Sequence, residues 1–558
     1  MSRLHRLLPF LNWPRPNATL LRSEVLAGLT VGLMVIPQGV AYAALAGMPL
    51  VTGIYASLLP ALLAVLFSSS TRLSVGPTAL TCLLVASSLT GLAEPGSAQW
   101  VELAVWLALL SGVLQLGLGF MRFGWLLNLV SSPVLMAFTQ AAAVLIIASQ
   151  LPALFGFSSV ASAWLQPQSV HLPSVVFGLA SFVLLQLARR WRPAFPSVVV
   201  IVLVAAGLSA WFHYTGSVVG RLPEGLPMLY VPTLPSWSML GNLVLPTLII
   251  SMVSFLETAS SAKADNESQG QRWNQDQDLI GQGIAKLASG LCGAFPTSSS
   301  FSRSALYLYA GARSGWATVA SVLVVLFVLL LFLPVLSHVP RPVLAAIVVV
   351  PVLGLINPQA FLKLWRISTI EAGIAISTFV ITLLTAPQLY WGVLSGVLMA
   401  LTHYLYQSLH PRIIEVGLHP DGSLRDRHLL NLPPLAPRVY ALRMDAALDF
   451  ATSSSFERAV IEHLAKHPDI RHVCLFAQPI NRIDATGVEI FIKLASRLQA
   501  LDMTLHISGM KLPAVETLKS AGLLLDGRWL KTYRTDLEAL AALAKLRVLP
   551  DDMAGAAI

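Results

Sequence analysis

Long apolar stretches follow one another through the first 410 residues, and they constrain the fold more than any other feature of the chain. A helix needs about 20 apolar residues to cross a bilayer, and shorter stretches are typical of broken or re-entrant helices. The pattern predicts fourteen helices, of which the third and the tenth are too short to span. They lie at 24–45, 49–68, 76–92, 100–120, 124–150, 172–190, 195–213, 239–262, 278–294, 300–311, 314–336, 341–356, 366–385 and 388–409.

The density of charged residues changes abruptly after His410. Residues 1–410 contain 18 Lys and Arg with 10 Asp and Glu, whereas the 148 residues that follow contain 18 and 17. A soluble domain is about 25% charged, so the composition excludes a single soluble globule and predicts a membrane domain joined to a soluble one. The predicted parts are an N-terminal segment (1–23), a membrane domain (24–410), a linker (411–435), an α/β domain (436–548) and a tail (549–558).

The basic residues predict how the helices are oriented. The net charge of +9 belongs almost entirely to the apolar part, which indicates membrane topology and not a nucleic-acid partner. Because short cytoplasmic loops are rich in Lys and Arg, we expect the N-terminus inside, with Arg189 and Arg190 on the inner side. An even number of passes then makes the C-terminal domain cytoplasmic too. We expect a multi-pass protein of the inner, or plasma, membrane.

Several kinds of chemistry are not expected. The three cysteines share no spacing typical of a metal site or a disulfide framework, so no metal is predicted. The chain has no Gly-x-x-x-x-Gly-Lys-Ser/Thr loop, so transport driven by ATP is not expected. We expect no cofactor beyond a coupling proton or sodium ion, and no enzymatic activity.

The two short helices stand at corresponding places in two halves, about 24–213 and 239–410. Seven helices per half is an odd number, so the second half must be inverted. This 7+7 inverted repeat is typical of secondary transporters, whose interrupted helices mark the binding site. The alternative is that Pro and Gly merely kink ordinary spans.

The residues near these helices suit an anion. A helix N-terminus offers unpaired N–H groups and partial positive charge, to which Thr78 and Arg303 add donors. Glu257 lies in an apolar helix, where an ionised carboxylate is costly, and its protonation or pairing with sodium couples a cation to the anion. Ser261 lies one turn further on the same helix and is a candidate for a sodium site, while Lys286 is a candidate partner of Glu257. The alternatives are structural ion pairs or a Lys that only reaches the interface.

Five motifs in the membrane part resemble the sulfate permease (SulP) family of anion transporters. They occur in the family's order at 27–47, 53–57, 74–79, 278–283 and 301–305. The resemblance implies fourteen helices arranged as core and gate domains, with the anion between the starts of the third and tenth helices. The residues expected to bind it are Gln38, Tyr42, Thr78, Ala79, Ser300, Phe301, Ser302 and Arg303.

The resemblance also bears on the coupling ion. Proton-coupled sulfate carriers of the family have Glu at the position of Glu257, which favours protons, whereas Ser261 keeps a sodium site open. Lys286 departs from the family, which usually has Asn there. Sulfate with proton symport is therefore the leading prediction. The alternatives are sodium-coupled bicarbonate transport, proton-coupled dicarboxylate transport, a passive anion channel, and a membrane-anchored regulator.

The soluble part alternates strands with helices, which predicts an α/β sandwich. Residues 483–487 resemble the Asp-Ser-Ser-Gly loop of the STAS domain, the expected C-terminal partner of this family. Thr486 matches a hydroxyl that is phosphorylated in related regulators, but we favour a role for Asp484 as the cap of the following helix. We also expect a homodimer in the lipid bilayer and a cytoplasmic protein that binds the STAS domain.

Overall fold

The computed structural model describes residues 8–157, 171–191, 196–223, 225–270, 272–523 and 527–546, which form two compact units, Met1–Ala400 and Leu401–Ile558. The predicted tail at 549–558 lies outside the described residues, as do the first seven residues of the predicted N-terminal segment.

A helix is present at each of the fourteen predicted positions. The helices are α1 (Ala18–Leu45), α2 (in two pieces, Thr52–Tyr55 and Leu59–Phe67), α3 (Ala79–Leu89), α4 (Ala98–Phe120), α5 (Ser132–Phe155), α6 (Leu172–Trp191), α7 (Ser197–Trp211), α8 (Trp237–Gln269), α9 (Gln275–Leu291), α10 (Phe301–Tyr309), α11 (Trp316–Leu331), α12 (Arg341–Leu353), α13 (Thr369–Leu384) and α14 (Tyr390–Leu409). Short helices at Leu333–Leu336 and Pro358–Ile367 flank α12. Six helical stretches in the described part of the chain are long and apolar enough to cross a membrane.

Several helix boundaries differ from the prediction. The first helix begins at Ala18, where the Asn17 side chain accepts a hydrogen bond from the Leu20 N–H at 2.8 Å, so residues 18–23 are helical. The charges at Arg22 and Glu24 concealed this start. Glu24 is nevertheless buried, because its carboxylate accepts hydrogen bonds from the N–H of Arg313 and the hydroxyl of Ser314.

Glycines let α1 and α2 approach closely. Gly39 of α1 lies against Gly53 of the first piece of α2, and a Cβ at position 53 would overlap the carbonyl of Gly39. This contact of backbone with backbone leaves no space for a larger residue at position 53.

Two short strands join the halves of the membrane unit. Strand β1 (Val75–Gly76) precedes α3 and pairs antiparallel with β2 (Ser298–Ser299), which precedes α10. Val75 lies opposite Ser299, and Gly76 lies opposite Ser298. The Ser300 N–H extends the pairing by donating to the Ser74 carbonyl at 2.9 Å. The predicted short helices α3 and α10, with 11 and 9 residues, therefore both start from one two-stranded sheet.

The second unit is an α/β domain with its own hydrophobic core. Its sheet contains β3 (Ile413–Leu418), β4 (Leu424–Asp426), β5 (Val439–Met444), β6 (His472–Phe476), β7 (Thr504–Ser508) and β8 (Leu530–Tyr533), in the order β4-β3-β5-β6-β7-β8. Strands β5 to β8 are parallel. The helices are α15 (Ser453–Lys466), α16 (Ala485–Ala500), α17 (Leu512–Ser520) and α18 (Asp536–Lys545).

The segment 411–435 is not a plain linker, which corrects the prediction. It contains β3 and β4, and β3 pairs antiparallel with β5 through Ile413 opposite Met444. The alternation of Ile414 and Val416 with Glu415 is a strand pattern, with Ile414 and Val416 buried. The sheet of this unit therefore begins at Ile413.

Candidate functional site

The first residues of α3 and α10 line one cavity of about 380 Å³ in the membrane unit. Thr78, Ala79 and Leu80 come from the start of α3, and Ser300, Phe301 and Ser302 from the start of α10. The first N–H groups of an α-helix have no acceptor within the helix, and the N-terminus carries partial positive charge. Two such ends on one cavity provide donors for an anion.

Other helices complete the cavity wall. Tyr42 of α1 and Glu257 of α8 also line it, and their roles in binding an anion and a coupling ion stay predictions. The remaining lining residues belong mostly to α5, α6, α8 and the end of α12, and the sequence analysis did not predict them. They are Leu135, Thr139, Arg189, Leu256, Ser260, Pro351, Val352, Gly354 and Leu355.

Thr78 connects the start of α3 to the Glu257 carboxylate. Its hydroxyl oxygen accepts a hydrogen bond from the Thr81 N–H at 3.3 Å, which caps α3, and it donates to Glu257 Oε2 at 3.0 Å. Thr81 Oγ1 donates to the same carboxylate oxygen at 3.1 Å. Glu257 is thus held by two hydroxyls at the start of α3. The sequence analysis predicted Thr78 as a donor to the anion and did not predict either contact with Glu257. The signal for Thr81 was a second Thr one turn after Thr78.

Gln38 and Arg303 do not line this cavity. Arg303 is 1% exposed, and its Nε donates to Ser74 Oγ at 3.1 Å while Nη1 reaches Gln38 Oε1 at 3.5 Å. Within the described part of the chain, Arg303 Nη2 and Gln38 Nε2 are buried without a hydrogen-bond partner. The guanidinium therefore packs against β1 and links α10 to α1. Direct contact of Arg303 with an anion stays a prediction.

Ser261 is not brought to the Glu257 carboxylate. Its hydroxyl donates to the backbone carbonyl of Glu257 at 3.1 Å, as Ser often does toward a residue four positions earlier in a helix. Ser261 lines a separate, smaller cavity of about 170 Å³ together with Ser304. Phe301 lines both cavities and lies between the two groups of residues.

Lys286, a candidate partner of Glu257, is fully buried and its Nζ is bonded elsewhere. Its Nζ donates to Gln115 Oε1 at 2.8 Å. The Gln115 Nε2 donates in turn to the Ser251 carbonyl at 2.7 Å and to Ser254 Oγ at 3.0 Å, both on α8. The ammonium thus reaches the helix of Glu257 through Gln115.

In the second unit, Asp484 caps α16 as expected. Its side chain accepts hydrogen bonds from the N–H groups of Gly487 at 2.8 Å and Phe450 at 2.9 Å. Partial burial opposes ionisation, but these hydrogen bonds hold the pKa of Asp484 below its usual value. Thr486 is exposed in the first turn of α16, so its hydroxyl is accessible, and its modification stays a prediction.

Comparison with known families and proteins gives consistent results. The sulfate permease family matches residues 21–378, and the STAS domain matches residues 434–537. A probable sulfate transporter of Mycobacterium tuberculosis is 32% identical over 519 residues, covering 90% of this chain and 92% of that protein. The probable sulfate transporter 4.2 of Arabidopsis thaliana is 31% identical over 549 residues, covering 91% and 79%.

Two solved structures show the same fold. The murine Solute Carrier 26 family member A9 anion transporter superposes with a TM-score of 0.85 at 21% identity, covering 97% of this chain and 94% of that one. The transmembrane domain of a cyanobacterial bicarbonate transporter, BicA, gives a TM-score of 0.60 at 18% identity, covering 69% and 99%. The relatives named above are transporters, which agrees with the expectation that the chain is not an enzyme.

Proposed function

Because the chain belongs to the sulfate permease family, a family of anion transporters, we propose that it is a secondary active transporter that carries sulfate together with protons. The proposed anion site is the cavity on which α3 and α10 both begin. This shared cavity is the observation that carries the proposal, because the two helix ends supply N–H donors to a cavity inside the membrane unit.

The cavity combines donors with an apolar surround. Hydroxyls of Ser300 and Ser302 add hydrogen-bond donors to those of the backbone, whereas the Thr78 hydroxyl donates to Glu257. Leu135, Leu256 and other apolar residues limit the water that competes for these donors, and a low local dielectric strengthens hydrogen bonds to a charged ligand. A small oxyanion with several acceptor oxygens fits this set of donors.

Glu257 supplies the coupling step. A negative carboxylate on the wall repels an entering anion, and its protonation removes that repulsion. Thr78 ties this carboxylate to the start of α3, so protonation acts next to the proposed anion site. The separation of the Ser261 hydroxyl from the carboxylate supports protons over the sodium pair of Glu257 and Ser261.

The proposal includes the arrangement of the chain. The antiparallel pairing of β1 with β2 supports a 7+7 inverted repeat, with a core that contains α3, α8 and α10. We place both termini in the cytoplasm on the basis of the basic loops, and we expect a homodimer in the plasma membrane whose STAS domain binds a cytoplasmic protein.

Uptake by purified protein in liposomes tests the function. Labelled sulfate should accumulate under an imposed inward proton gradient and not under a sodium gradient, and unlabelled sulfate should compete better than bicarbonate or a dicarboxylate. Glu257→Gln should keep sulfate exchange but lose accumulation driven by the proton gradient, because it cannot release a proton. Accumulation that follows sodium and ignores pH would instead support a sodium-coupled carrier. Flux without accumulation under either gradient would support a channel.

A further inference from the structure

The cavity wall contains a cation that the sequence motifs do not include. Of the described residues that line the cavity, Arg189 and Glu257 are the charged ones. Arg303, the cation expected at the site, is buried against β1 and lies off the wall. The cationic residue on the described cavity wall is therefore Arg189 of α6.

Arg189 is held in place at the end of α12. Its Nη1 donates to the carbonyl of Val350 at 3.0 Å, in the last turn of that helix. The C-terminal end of a helix carries partial negative charge, which favours a cation there. A Cβ on Gly354 would lie 2.9 Å from Arg189 Nη2, so the glycine leaves space for this position of the guanidinium.

The guanidinium also has donors to spare. A guanidinium has five N–H groups, and the hydrogen bond to Val350 uses one of them. The Arg189 residue is exposed, so the remaining donors are accessible from the cavity. Their planar arrangement matches two oxygens of an oxyanion such as sulfate or a carboxylate.

The position of Arg189 complements that of the helix starts. Helix α12 packs against α5 and α6, and these three helices contribute Leu135, Thr139, Arg189, Pro351 and Val352 to the cavity. The starts of α3 and α10, together with Glu257 of α8, form the other part of the cavity wall. An anion in the cavity thus has donors from two groups of helices.

We propose that Arg189 is a direct ligand of the transported anion. It selects for dianions that present two oxygens to the guanidinium. The proposal rests on the proposed function. While Glu257 is ionised its charge balances that of Arg189, so loss of Arg189 then leaves the carboxylate as the formal charge on the described wall. That carboxylate repels a dianion twice as strongly as a monoanion.

The test compares Arg189→Gln with Arg190→Gln in purified protein reconstituted into liposomes. Arg190 is the next residue of α6 and is also exposed, but it does not line the cavity, so it is a matched control for charge near the membrane. Loss of a hydrogen bond to a charged group corresponds to roughly a tenfold to hundredfold change in affinity. We expect Arg189→Gln to raise the KM for labelled sulfate by that factor, with a smaller effect on competition by chloride. Arg190→Gln should leave the KM within about twofold.

Three further measurements separate ligand binding from a structural role. Arg189→Lys keeps the charge and should recover part of the lost affinity, and Arg189→Gln combined with Glu257→Gln should bind sulfate more tightly than Arg189→Gln alone. Sulfate affinity measured by calorimetry on monodisperse protein should fall with Arg189→Gln and should depend less on ionic strength than in the original chain. A lower maximal rate with unchanged KM, unchanged affinity and unchanged salt dependence would mean that Arg189 only caps α12, and would overturn the proposal.

The same experiment distinguishes failure of the Arg189 assignment from failure of the proposed function. If the original chain binds and transports sulfate but Arg189→Gln behaves as Arg190→Gln does, the Arg189 assignment fails and the proposed function stands. If the original chain neither binds nor transports any tested anion, the proposed function fails, and the Arg189 assignment fails with it.

Discussion

The hydrogen bonds of Thr78 and Thr81 allow us to predict how much stability the protein loses when each hydroxyl is removed. Thr78→Val removes two interactions, the cap on the Thr81 N–H and the hydrogen bond to Glu257 Oε2. Thr81→Val removes its hydroxyl's hydrogen bond to Glu257 and leaves the cap in place. A cap contributes about 1 kcal/mol, and a hydrogen bond to a charged group roughly 1.5–3 kcal/mol. Thr78→Val should therefore destabilise the protein by about 1 kcal/mol more than Thr81→Val.

Thermal unfolding of the purified protein, followed by intrinsic fluorescence in one detergent, ranks the variants. Thr78→Ser keeps both hydrogen bonds and serves as the control. Thr78 lines the cavity whereas Thr81 does not, so Thr78→Val should also weaken sulfate binding more than Thr81→Val. Equal destabilisation by the two Val variants, or an equal loss caused by Thr78→Ser, would refute the assignment of the cap and of the carboxylate contact.

Further predictions concern packing and the cytoplasmic unit. Gly53→Ala should lower the yield of monodisperse protein in size-exclusion chromatography because the added methyl overlaps the Gly39 carbonyl, while Gly241→Ala, with open space around it, should not. In residues 401–558 expressed alone, Asp484→Ala should lower stability by about 1 kcal/mol in urea unfolding through loss of the helix cap, and Thr486→Ala should change it by less than about 0.5 kcal/mol. Burial, followed by the charges of His472 and Lys531, lowers the pKa of His506 to about 3, so the unfolded chain binds its proton first. The urea midpoint of this unit should therefore be steady above about pH 6.5 and fall as the pH drops toward 3, whereas a flat profile over that range would contradict the burial of a neutral His506.

Most of the helical architecture was predictable because apolar runs and their interruptions are local properties of the sequence. The short lengths of α3 and α10 were visible from the residues around Pro77 and Pro296. Boundaries that depend on tertiary contacts were not. The helix that begins at Ala18 runs on through the buried Glu24, where the Arg313 N–H and the Ser314 hydroxyl, from a distant part of the chain, donate to one carboxylate oxygen. Strand β3 was missed although it also pairs with the nearby β4, because the segment was interpreted as a linker from its composition; its pairing with β5, more than twenty residues later, is not a local property.

The site was predictable to the extent that motifs mark it. Tyr42, Thr78, Glu257 and the start of α10, which the motifs marked, line one cavity. Arg189 could not be assigned from sequence, since a basic pair at the end of a helix is also the ordinary signal of a cytoplasmic loop. For Arg303 and Lys286, the direction of the side chain could not be predicted from sequence. Arg303 donates to Ser74 and Gln38, and Lys286 donates to Gln115, so neither side chain reaches the partner that the sequence analysis considered for it.

An experimental structure with selenate tests the central claim most directly. Selenate has the shape and charge of sulfate, and its selenium is located by anomalous scattering. We expect one strong anomalous peak in the membrane unit, within hydrogen-bond distance of the first N–H groups of α3 and α10 and of the Arg189 guanidinium, and its loss when excess sulfate is added. A peak that sulfate displaces from a place away from the starts of these two helices would contradict the proposed anion site.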